Sequence, residues 1–249
     1  MLFSIISSGN IREAIIGVLL MIPVALLALS AHEAAHGLAA YMMGDRTAYN
    51  MGRVTLNPSK HLDLFGTLMM LVFGFGWAKP VPINARNFKN PKWGMALSAL
   101  AGPLSNIILG SIGAIFAGSL YYLTGFIVPV YAPQITEFAY YEALNSVIFD
   151  FATYFGLINF IYAFFNLIPL PPFDGSRFFF TFLPVKWYFG IMKYERYIMF
   201  GLLILIMASS RFLQFSPFSY LAENAYLLIA NGTLRLFDTV FTLIINLIA

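Results

Sequence analysis

The chain has 249 residues, 60% of them apolar and only 10% charged, with a mean hydropathy of +0.79. Soluble domains carry about 25% charged residues, so these charges cannot cover a water-facing surface and lipid must solvate much of the chain. The net charge of +3 is spread over loops, which suits anionic lipid headgroups and argues against nucleic acid as a partner; the lack of cysteine excludes disulfides, iron–sulfur clusters and thiolate metal sites.

The first ten residues, MLFSIISSGN, have no basic stretch and no small-residue cleavage site, so the first apolar segment is expected to be retained. Residues 11–43 read as one long helix ending at Gly44-Asp45. The stretch 44–61 is polar, and Arg53-Val54-Thr55-Leu56 has the residue types of a short strand. Residues 62–76 are apolar but punctuated by glycine and too short for a full span, which predicts a re-entrant segment buried in protein. A basic loop, WAKPVPINARNFKNPKW, covers 77–93. A second apolar segment runs from 94 to about 128, interrupted by Gly102-Pro103, and residues 129–143 are polar and aromatic. A third span is expected at about 144–170, then a short amphiphilic piece to Pro184 and a fourth span near 196–213. Residues 218–248 carry Glu223, Asn224, Arg235 and Asp238 and suit either a span or an interfacial helix. The fold class is therefore an all-α polytopic membrane protein with four to six transmembrane or re-entrant helices and a small β-hairpin or strand between 45 and 85.

Lysine and arginine concentrate at 46–60, 79–92 and 186–196, whereas 129–150 holds only acids. By the positive-inside rule the three basic loops face the cytoplasm, which puts His32, Glu33 and Asp174 in the cytoplasmic half. Lys79, Arg86, Lys89 and Lys92 are read as orientation signals rather than substrate contacts.

The chemistry gathers at His-Glu-Ala-Ala-His, residues 32–36. Histidines four apart share one helix face and can meet one ion. Zinc accepts imidazole ligands and keeps an open position, and a glutamate directly after the first histidine can act as general base without ligating. Ionisable groups within a span are costly and point to function. Catalytic zinc usually takes three protein ligands. Asp174, in Pro-Leu-Pro-Pro-Phe-Asp-Gly, is the best remaining candidate, with Gly175 permitting a turn; N-capping of a helix over 175–183 is the plainer role for the same side chain. The nearest rival function is a metal-ion transporter using the same His/Glu/Asp site, yet Ile15 to Leu29 offers it no polar path.

Four segments in order, HEAAH at 32–36, GFGWAKPVPIN at 74–84, ALAGPLSN at 99–106 and NLIPLPPFDG at 166–175, resemble the site-2 proteases, which are membrane-embedded zinc metalloproteases. The resemblance covers residues 15–185, a catalytic core within a single domain of 1–249, with accessory C-terminal helices over 186–249. It implies one zinc ion held by His32, His36 and Asp174, Glu33 as the base, and Asn166 positioning the substrate backbone or the oxyanion; Asn106 is a lesser candidate for substrate contact, with a helix–helix polar contact as its plainer role. It also implies transmembrane protein substrates and a multi-pass location in a prokaryotic plasma membrane, and it leaves open whether the chain forms a homo-oligomer. Phe173 stands where the family has leucine, and no stretch is long enough for an inserted PDZ or CBS domain. Two finer expectations concern neighbours of the site. Val81-Pro82-Ile83 suits an edge strand that pairs with substrate, and His61 reads as a solvated interfacial histidine.

Overall fold

The computed structural model describes residues 11–63, 65–66, 78–127, 139–194, 197–198, 200–201 and 217–248. Most of the re-entrant segment at 62–76, of the polar stretch at 129–143 and of the fourth span at 196–213 lies outside these residues. The described part is helical: α1 (Ile11–Met42), α2 (Thr47–Asn50), α3 (Pro91–Tyr122), α4 (Ala139–Asn166), α5 (Asp174–Phe179), α6 (Val185–Met192) and α7 (Pro217–Ile248). Three helices are long and apolar enough to cross a membrane, over Ile15–Met42, Pro91–Gly125 and Ser146–Asn166.

Gly102-Pro103 does not interrupt the second segment. Helix α3 runs through it for 32 residues, from an Asn90 cap whose side chain accepts from Trp93 N–H, and widens into a π-helical turn at Leu123–Ile127. The strand expected at 53–56 is absent. Between 45 and 85 the described residues hold a single β-bridge, Leu62 with Ala78, and no sheet. Arg53 N–H instead closes a turn onto Ala48 O, so the chain coils where a strand would extend.

Helices α1, α3 and α4 form the centre, and α7 packs against α3 and α4. Lipid tails are as apolar as leucine, so burial alone does little to join membrane helices; close van der Waals contact between small residues does more. The buried core follows that logic with Ala114, Ala117, Ala152, Ala222 and Ala230 around Phe160 and Tyr226. At the α3–α4 crossing a Cβ on Gly113 would stand 2.7 Å from Gly156 N, so glycine meets glycine. Larger apolar residues such as Leu19, Leu38, Ile108 and Ile112 are exposed on the outside. Residues 217–248 thus form a helix seated on the bundle through Ala222, Tyr226 and Ala230, with Tyr226 OH 3.0 Å from Thr153 Oγ1.

Candidate metal centre

Helix α1 carries His32, Glu33 and His36 within two turns, and α5 brings Asp174 to them. Asp174 is the first residue of α5, whose N-cap is Phe173 with no side-chain hydrogen bond, so the carboxylate is not spent on capping. Asp174 Oδ2 lies 2.9 Å from His32 Nε2 and 3.2 Å from His36 Nε2, and the three ligand atoms fall within 4.8 Å of one another. Gly175 is needed here for space. A Cβ would collide with the Leu167 carbonyl group and come within 2.7 Å of Ile168 O, so only glycine lets α5 tuck against the end of α4.

The far side of each ring shows where its proton sits. His36 Nδ1 is 2.7 Å from the Ser98 carbonyl, which can only accept. His32 Nδ1 is 2.6 Å from Asn106 Oδ1. The Asn106 amide donates both protons elsewhere, to Ala28 O at 3.1 Å and to Asn159 Oδ1 at 2.7 Å, so its oxygen must face the histidine. Both imidazoles therefore carry a proton on Nδ1 and turn Nε2 toward Asp174, which leaves the Nε2 lone pair for an ion whenever the ring is neutral. Two imidazole nitrogens and a carboxylate oxygen converging on one point are the donor set a zinc ion takes. Tetrahedral zinc, with bonds near 2.0–2.2 Å, would space its ligands about 3.3–3.5 Å apart. The two histidine–aspartate separations of 2.9 and 3.2 Å lie just inside that spacing, and the Nδ1 contacts are the supports usual for ligating histidines.

Helix α3 reaches this point because residue 102 lacks a side chain. A Cβ there would lie 2.5 Å from His36 Nε2 and 2.7 Å from His32 Cε1. Asn159, buried in α4 and anchored to Phe155 O at 2.8 Å, ends a polar chain that runs from α4 through Asn106 to His32. Sequence reasoning missed Asn159, although an asparagine inside a span was itself a signal. Asn106, a lesser candidate for substrate contact, makes the helix–helix polar contact that was its plainer role: its amide protons go to Ala28 O and Asn159 Oδ1, and its oxygen orients His32. Asn166, the last residue of α4, is half-buried and donates to Tyr162 O at 3.0 Å.

Glu33 is held from another direction. Its Oε2 accepts from Val81 N–H at 3.0 Å. Val81 lies between two prolines, so that N–H is the sole backbone donor from 80 to 82. Arg53 Nη2 donates to Lys79 O at 2.6 Å and Pro80 O at 3.3 Å, and Asn84 N–H donates to Asp45 Oδ2 at 2.7 Å. Residues 79–84 are thus a strap stitched to α1 and its following turn, in which Lys79 N–H and O, Pro80 O and Val81 N–H are engaged. His61 is not solvated. It is fully buried, with Nε2 2.8 Å from Thr55 O, and its own carbonyl accepts from Lys79 N–H, which folds the strap over it.

Asp45 is buried at the end of α1, outside the span. Burial raises its carboxyl pKa, but hydrogen bonds from Thr47, Asn84 and Asn87 outweigh this and hold it below the ordinary aspartate value. It joins α2 to both ends of the loop after the strap.

Comparison with known proteins shows the family. No solved structure gives a significant match. A curated relative from Bacillus subtilis (strain 168), named "Putative zinc metalloprotease YwhC", is 42% identical over 152 residues, which is 61% of this chain and 64% of that protein, so the match covers a little under two thirds of the relative. Nothing in these matches favours an ion transporter. Residues 17–209, which take in the histidine pair, the strap and Asp174, match peptidase family M50, and the chain belongs to that family.

Proposed function

We propose that the chain is an intramembrane zinc metalloprotease that hydrolyses peptide bonds in or beside the transmembrane segments of its substrates. The observation that carries this is the convergence of His32 Nε2, His36 Nε2 and Asp174 Oδ2, with both ring protons directed away. These atoms would hold one zinc ion, which when bound would supply a Lewis acid for the scissile carbonyl. Glu33 takes the proton of the attacking water and delivers it to the leaving amine. Asn166 has a second amide proton for the oxygen on which negative charge develops. The core of this activity is assigned to residues 15–185, and the active site to the cytoplasmic half of a prokaryotic plasma membrane, following the basic loops at 46–60 and 79–92.

A groove of about 290 Å³ beside the metal-bearing turn, lined by Ala31, Ala34, Ala35 and Leu38 of α1 and by Val54–Leu56, gives an extended apolar chain room against α1. A helical substrate must unwind there, because its backbone groups are already paired and its carbonyls shielded. Glu33→Gln should cut cleavage of a transmembrane peptide by about 10²–10⁴-fold while zinc stoichiometry by elemental analysis stays the same. Wild-type cleavage by that variant would refute the assignment.

A further inference from the structure

We propose that the pocket bounded by Arg53, Lys60 and Lys79 is a binding site for a phosphate-type anion, filled by the headgroup of an anionic phospholipid. The pocket measures about 490 Å³ and is separate from the metal centre; Ser59, Leu62, Pro80 and Pro82 complete most of its wall. Among the described residues three cations line it and no carboxylate does. Arg53 is 8% exposed, and among the described residues it makes no ion pair; only Nη2 is hydrogen-bonded, while buried Nε has no partner. A guanidinium this buried without a counter-ion is costly, and an anion in the adjoining pocket removes that cost. Lys60 and Lys79 are exposed and able to close on the same anion.

The position favours lipid as the source. The pocket follows the end of the apolar helix α1, where headgroups begin. Tyr41 and Tyr49 pair there at 4.7 Å between ring centroids, both exposed, as aromatic residues do at a membrane interface. Met51, part of the pocket wall, is 60% exposed, and Leu62 and two prolines share that wall, so apolar surface adjoins the charged floor. A headgroup with its acyl chains satisfies both; free phosphate satisfies only the floor. Arg53 is also the residue that grips Lys79 and Pro80, next to the Val81 N–H that holds Glu33, so the lipid would sit against the strap.

The test uses the purified full chain and reads binding, so it stands apart from the cleavage assay. Short-chain phosphatidylglycerol, the matching phosphatidylcholine and inorganic phosphate are each titrated, with native mass spectrometry for stoichiometry and the unfolding midpoint for affinity. One phosphatidylglycerol should bind in preference to phosphatidylcholine. The double variant Lys60→Gln/Lys79→Gln, altered only at exposed side chains, should bind it roughly thirtyfold more weakly. Arg53→Lys, which keeps a charge, is the second variant and should weaken binding without abolishing the fold. Equal phosphatidylglycerol affinity in wild type and double variant overturns the proposal. So does inorganic phosphate binding as tightly as the lipid, which would assign the pocket to a free anion. Failure of both to bind, with the double variant selectively slowing cleavage of peptides with acidic flanks, overturns it in favour of a substrate subsite.

Discussion

His32 and Glu33 are adjacent on α1 yet are held by different kinds of structure. The histidine is fixed through the bundle: its Nδ1 is bonded to Asn106 on α3, and Asn106 to Asn159 on α4, every member of the chain buried. The glutamate is fixed by a loop, through one backbone N–H at Val81, and the strap that offers it is tied down by Arg53 and Asp45 rather than by helix packing. A metal ligand has to stay in one place, and helices packed through alanine and glycine supply rigid support. A base that meets both water and substrate is served by a contact from a more accessible segment. The comparison implies that metal retention and proton transfer can be damaged separately.

Three substitutions would break or sharpen that contrast. Asn106→Ala strips a partner from His32 Nδ1, Ala28 O and Asn159 Oδ1 at once in an apolar interior. At 1–3 kcal/mol for each orphaned group it should destabilise the protein by about 4 kcal/mol, and loss of the ring support should lower zinc affinity by about 10–100-fold. Thermal unfolding and competition with a chelator measure the two effects, and unchanged zinc affinity would show that the helix network is not the ligand's support. Val81→Pro removes the donor to Glu33 and leaves the bundle untouched. Turnover should fall roughly thirtyfold, as expected for a charge-assisted hydrogen bond of about 2 kcal/mol, with zinc content unaltered; parallel loss of zinc would mean the two supports are one. Asp45→Asn loosens the anchor of the strap at one remove and should cost about 1–2 kcal/mol at neutral pH. The sign of its pH dependence follows from the lowered native pKa. The unfolded chain binds the proton first, so the wild-type advantage is complete above about pH 4, the ordinary aspartate range, and fades as pH falls through the native value. Unfolding midpoints of wild type and variant should therefore converge in acid.

The His-Glu-x-x-His spacing could be read directly because a helix makes residues four apart neighbours, and that relation survives any tertiary arrangement. Asp174 was reachable because few carboxylates lie near span ends and no cysteine competes. The supports could not be read so easily. Ser98 acts through its carbonyl and Val81 through its N–H, groups that every residue but proline at nitrogen possesses, so their identities carry no mark. His61 reads as interfacial from its polar neighbours, and only the fold of the strap across it makes it buried. Pro103 reads as a break, but proline within a membrane helix is tolerated where neighbouring groups and local adjustment make up for the lost bond, and α3 continues through it.

Gly102 has a consequence for anyone redesigning this centre. With no side chain between the α3 backbone and the two imidazoles, the thickness of those rings acts as a shim that sets how far α1 stands from α3. Replacing a histidine by a smaller ligand such as aspartate would keep a donor for the ion but leave a gap where the ring had been, and interiors close such gaps only in part. The interhelical distance, the choice of ligand and the bare position at 102 form one mechanical specification, and altering any one of them changes the tolerance on the other two.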